Sequence, residues 1–172
     1  NFKPYHATNH TQNRWQQLAE THAKWIMEEF ELKGENGIIT VGIEKTFDFP
    51  NKTCFKGGYE CVVGIEIRVG SYSVRSKFYA STGELFKFYE KLKTCQSELN
   101  GVAEFDSYEK NLELTVKYDS GKISIFGTYQ ENLGIDNKLE FDFNSDQSYF
   151  KNSVEQLERI FDKYGGMKGV EK

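Results

Sequence analysis

Long apolar runs are missing from this chain. No stretch of about 18 consecutive apolar residues occurs, which excludes a membrane-spanning helix. Cysteine is scarce as well: Cys54, Cys61 and Cys95 are an odd number without metal-ligand spacing. Such a set builds neither a disulfide framework nor a zinc site. Cys54 and Cys61 can pair through a loop at Gly57-Gly58, but reduced, buried thiols are the expected state. His6 and His10 stand four apart, as helical metal ligands do, yet Pro4 and a polar setting supply no third ligand, so a solvated pair is expected. A nucleophile–base pair and a phosphate loop are also lacking. No cofactor and no metal is therefore expected. Asn1 opens the chain without Met and without a charged-then-apolar leader, so no signal peptide is visible; either residues upstream are missing or a segment was cleaved. The sparse, reduced cysteines are those expected of a cytoplasmic protein. The sequons at Asn9 and Asn51 carry little weight without a secretory signal.

What is present is aromatic volume and acidic charge. Aromatic residues make up 15%, with 14 Phe and 10 Tyr to fill a core. At 172 residues the chain is long enough to bury roughly 70% of its unfolded surface as one domain. Residues 1–100 are near neutral, with 13 basic and 12 acidic side chains, whereas residues 101–164 carry 13 acidic against 7 basic. An acidic half repels a phosphate backbone, which argues against direct nucleic-acid binding and for a basic protein partner.

Periodicity assigns the elements. Residues 1–10 read as an arm, and Trp15, Leu18, His22, Trp25, Ile26 and Glu29 trace a helix expected over about 12–32. Glu28, Glu29 and Glu31 at its far end oppose the helix dipole, so packing would have to hold it. Strand alternation follows at Ile39–Ile43 and at Cys61–Val69. Gly70-Ser71 suits a type II′ hairpin returning through Tyr72, Val74, Ser76 and Phe78. Ser81 and Glu84 have capping-box spacing at the head of a helix over 82–98, with Leu85, Phe88, Tyr89, Leu92 and Cys95 as its stripe. Leu112–Tyr118 and Ile123–Tyr129 form a hairpin across Asp119-Ser120-Gly121. Leu139, Phe141 and Phe143 alternate in a last strand that runs into a helix over 146–164. Asp146 suits that helix's N-cap, and Gly165 its end.

The resulting fold class is α+β: an antiparallel β-sheet of about seven or more strands, with amphipathic helices packed mainly on one face. The expected organisation is an arm and helical extension over 1–29, one domain over 30–165, and a tail over 166–172.

With those elements in place, residues 72–165 resemble the WapI-type immunity proteins. The likeness is carried by the strand entering Ser81-Thr82-Gly83-Glu84-Leu85, by Leu112-Glu113-Leu114, by Leu139-Glu140-Phe141, and by Asp146-Gln147-Ser148-Tyr149. The resemblance implies a bacterial protein that protects its cell from the nuclease end of a contact-delivered toxin, by stoichiometric binding and without catalysis. If helices cover one sheet face, the other presents Glu113, Thr115, Lys117, Ser124, Phe126, Thr128, Glu140 and Asp142. That face fits the basic cleft of a nuclease, and Asp106, Glu109, Glu113, Phe126, Glu140 and Asp142 are the expected toxin-binding residues. The alternative is a small-ligand binder or enzyme. Asp106, Tyr108 and Glu109 would then serve as acid–base groups, with Arg75 as an anion anchor.

Overall fold

The computed structural model describes residues 28–170. The paired histidines, the sequon at Asn9 and most of the N-terminal helix expectation lie outside these residues. Eight strands and two helices follow in order: β1 (Glu29–Lys33), β2 (Gly37–Thr46), β3 (Glu60–Val69), β4 (Tyr72–Ser81), α1 (Thr82–Glu98), β5 (Asn100–Asp106), β6 (Leu112–Asp119), β7 (Lys122–Gln130), β8 (Lys138–Asp146) and α2 (Gln147–Tyr164). The class is α+β, but the strands divide into two four-stranded antiparallel sheets, β1-β2-β3-β4 and β5-β6-β7-β8. Within each sheet every strand pairs with its sequence neighbour.

The helix expected to reach residue 32 does not. Glu29–Lys33 is a strand, with Phe30 and Leu32 buried and paired to Val41 and Ile39 of β2. Two alternating apolar residues between acids gain more by joining a sheet than by ending a helix whose dipole those acids oppose.

The hairpins obey their turn residues. Val69 pairs with Tyr72, and Gly70 takes φ 56°, as the first position of a type II′ turn demands. Asp119 pairs with Lys122, and here Ser120 (φ 52°) joins Gly121 (φ 90°) in the left-handed region, which gives a type I′ turn. Ser81 caps α1: its hydroxyl accepts from Glu84 N, and the Glu84 carboxylate accepts from Ser81 N at 2.7 Å. Asp146 caps α2 by accepting from Ser148 N. Gly165 ends that helix at φ 69°.

One core joins both sheets and both helices. Phe78 of β4 meets Phe105 of β5 at 6.3 Å and Tyr129 of β7 at 6.5 Å between ring centroids. Phe88 of α1 bridges Phe30 (6.3 Å) and Phe105 (6.0 Å), and Phe150 of α2 stands edge-on to Tyr118 at 5.7 Å. Such pairs add to the area they bury.

Helix α2 also closes the free edge of β1. Glu31 N donates to Gln156 Oε1 at 2.9 Å, and Ser153 Oγ donates to Glu31 O. Beside this edge the buried Glu28 carboxylate accepts from Tyr164 Oη at 2.5 Å and pairs with Lys163. Satisfying an edge strand's backbone in this way blocks pairing with another chain. Val63, Ile65, Leu114, Val116, Phe141 and Phe143 all point inward, while Glu113, Glu140 and Asp142 point out. All three cysteines are free: Cys61 and Cys95 are buried, and Cys54 is half-buried.

Candidate functional site

The β5–β8 sheet buries one face and presents the other to solvent, and its register decides which side chains meet there. Asp106 stands across from Glu113, Glu113 from Thr128, and Thr128 from Glu140. The next outward row runs Glu104, Thr115, Phe126, Asp142, and the third runs Val102, Lys117, Ser124, Asn144. Five carboxylates therefore occupy the first two rows, with Phe126 among them at 42% exposure. Directly opposed residues lie about 4.5–5.5 Å apart at Cβ, so placing Asp106 against Glu113 costs stability. The fold does not require that pairing.

Local bonds temper the charge without cancelling it. Lys110 pairs with Asp106 across the β5–β6 turn, and this carboxylate holds the Lys110 ammonium above the usual lysine range. Thr128 Oγ1 donates to Glu113 at 3.4 Å. Glu104, Glu140 and Asp142 have no cation partner among the described residues. A further exposed ring borders this corner. Tyr72, 75% exposed at the start of β4, lines a small recess with Glu140 and Asp142. Its place in the β4 alternation suggests an inward ring, but at the end of the hairpin no core remains beneath it.

Of the expected binding residues, the structure brings Asp106, Glu113, Phe126, Glu140 and Asp142 onto this one face. Glu109 lies beside it in the exposed turn after β5. Sequence reasoning missed Glu104, although its alternation with the buried Ala103 and Phe105 carries the signal.

The acid–base alternative does not assemble. Arg75 lies on the outer face of the other sheet, 3.7 Å from Glu66, in a trough shared with Glu44 and Lys77. Glu109 lines different clefts, and Asp106 is engaged by Lys110. Among the described residues no group of His, Cys, Asp and Glu is arranged to hold a metal ion. Among the described residues no helix is long and apolar enough to cross a membrane. The acidic face accepts hydrogen bonds and attracts cations, and it offers a ring as an apolar contact.

Comparison with curated proteins finds no match. A family model, the immunity protein WapI-like family, matches residues 30–165. That stretch covers both helices and, but for Glu29 at the start of β1, both sheets, and the chain belongs to the WapI-like immunity protein family.

Proposed function

We propose that this protein neutralises a cognate bacterial toxin by binding it one-to-one, in the cytoplasm of the cell it protects, through the outward face of β5–β8. The observation that carries the reading is the register that sets Asp106, Glu113 and Glu140 in one row beside Glu104 and Asp142, around a half-exposed Phe126. Like charges set side by side oppose folding, and a basic partner converts that cost into attraction. A nuclease domain fits, because the surface that grips a phosphate backbone is itself cationic. Binding occludes that surface, so inhibition needs no catalysis by this chain and no contact with nucleic acid.

The test needs a candidate toxin domain, sought among the genes that neighbour this one. Co-expression with the chain should restore growth, and the purified pair should run as a one-to-one complex in which nuclease activity is lost. Free nuclease activity at saturating chain, or growth arrest despite co-expression, would sink the reading.

A further inference from the structure

The largest apolar exposure does not lie on the acidic face but at its end. Nine large apolar side chains are exposed among the described residues, and five of them gather around one turn. Tyr108, in the β5–β6 turn, shares one recess with Phe55 and Tyr79 and a second, wider cleft with Leu133 and Ile135. Phe55 is 81% exposed, and its ring meets that of Tyr108 edge-on at 5.5 Å. A contiguous apolar cluster of this kind marks an interaction site, whereas scattered single residues do not.

The wider cleft encloses about 950 Å³ between the β5–β6 turn and the β7–β8 loop, and both walls are held in place. The buried Ser107 fixes the first wall: its Oγ accepts from Leu112 N at 3.0 Å, and its carbonyl accepts from Lys110 N at 2.7 Å. Asn111 Nδ2 ties the two walls together by donating to Gln130 O (2.9 Å) and Glu131 O (3.3 Å). Within the second wall, Gln130 Nε2 donates to Ile135 O at 2.8 Å. Binding to walls already ordered loses less conformational freedom.

The chemistry of the lining selects the occupant. Glu109 and Glu131 are its carboxylates, and its single cation, Lys110, is engaged by Asp106. The ring of Tyr108 already attracts a cation, with Lys56 Nζ 4.6 Å from its centroid. We propose that an arginine-bearing segment protruding from the toxin inserts here. Its aliphatic stem lies on Tyr108, Leu133 and Ile135, and its guanidinium is turned to Glu109 and Glu131. Arginine fits better than lysine because its planar head both stacks on a ring and meets carboxylates through paired donors. The assignment rests on the toxin-binding reading above. It makes this cleft the anchor of the complex, with the acidic sheet face steering approach.

Binding kinetics against that candidate toxin domain, catalytically inactivated, test the assignment. Tyr108→Ala, and separately Leu133→Ser with Ile135→Ser, should each weaken affinity at least about thirtyfold, mainly through faster dissociation. Their melting curves should stay those of the parent. The Glu109→Gln, Glu131→Gln pair should lose at least about tenfold. Amide exchange at 107–111 and 131–137 should slow in the complex. Unchanged affinity in the apolar variants, with weakened binding when Glu113, Glu140 and Asp142 are reversed, would overturn the cleft and leave the toxin-binding reading standing. An unaffected Glu109/Glu131 variant would overturn the cationic occupant. No binding by the parent chain would remove both.

Discussion

The ring of Phe143 in β8 lies against Gly37 in β2, so closely that a Cβ on that glycine would stand 2.4 Å from the ring. This contact joins the two sheets where no hydrogen-bonded ladder connects them. Gly37→Ala has no room and should destabilise the protein by about 1–3 kcal/mol, as overpacking does. Denaturant unfolding measures it. A midpoint equal to the parent's would show that the sheets separate more easily than the packing implies.

Reversing Glu113, Glu140 and Asp142 to Lys should slow association with the toxin domain and flatten its dependence on salt, because steering acts over the Debye length. Growth protection should weaken in parallel. The melting temperature should hardly move, since exposed charges contribute little to stability. Stopped-flow association at two salt concentrations decides the matter, and an unaltered rate would remove this face from the encounter.

Thiol chemistry should distinguish the three cysteines. Burial pushes the Cys61 thiol far above its ordinary range, and Glu84 adds to the effect; burial likewise raises Cys95. The thiolate is the reactive form, so both should resist alkylation in the native protein. Cys54, half-buried in the β2–β3 loop, should react first. Mass spectrometry after mild alkylation should find one adduct, at Cys54. Early labelling of Cys61 would contradict the packing of β3 against β4.

Acid should loosen the start of α2. Hydrogen bonds from Ser148 hold the Asp146 carboxyl below the usual carboxylate range. A group whose folded pKa is depressed contributes stability above its unfolded value, about 3.9, and loses it as pH falls through the folded value. Asp146→Asn keeps a good cap but removes the titration. Thermal melts at pH 7 and pH 3 should show the parent losing more than the variant. Equal losses would mean that other carboxylates govern the acid limb.

Much of this architecture is legible in the residues. The alternation at Cys61–Val69 and Leu139–Phe143, the glycine turns and the Ser81–Glu84 capping box each follow a local rule, and each element forms where its rule places it. The split into two sheets was not legible, because strands facing a shared core alternate in the same way whether one sheet or two surround it. β1 was hidden for a different reason: Phe30 and Leu32 are too few to set a period against the stripe that precedes them.

The site divides along the same line. Outward carboxylates follow from alternation alone once a register is drawn, so Glu113, Glu140 and Asp142 could be named from sequence. Phe55, Leu133 and Ile135 could not, because an apolar residue in a loop reads as core until the tertiary structure leaves it uncovered. Arg75 was misplaced because residues far apart in sequence reveal no common pocket.

The contacts of Ser153 and Gln156 with Glu31 impose an order on synthesis. They span 122 and 125 positions, so β1 leaves the ribosome long before the helix that protects it. At about 5–20 residues per second, the interval is roughly 6 to 25 s. During that time the nascent protein carries an open strand edge able to pair with a neighbour on the same message. Chains halted before Ser153 should therefore cluster or recruit chaperones, and release of the completed chain should end both.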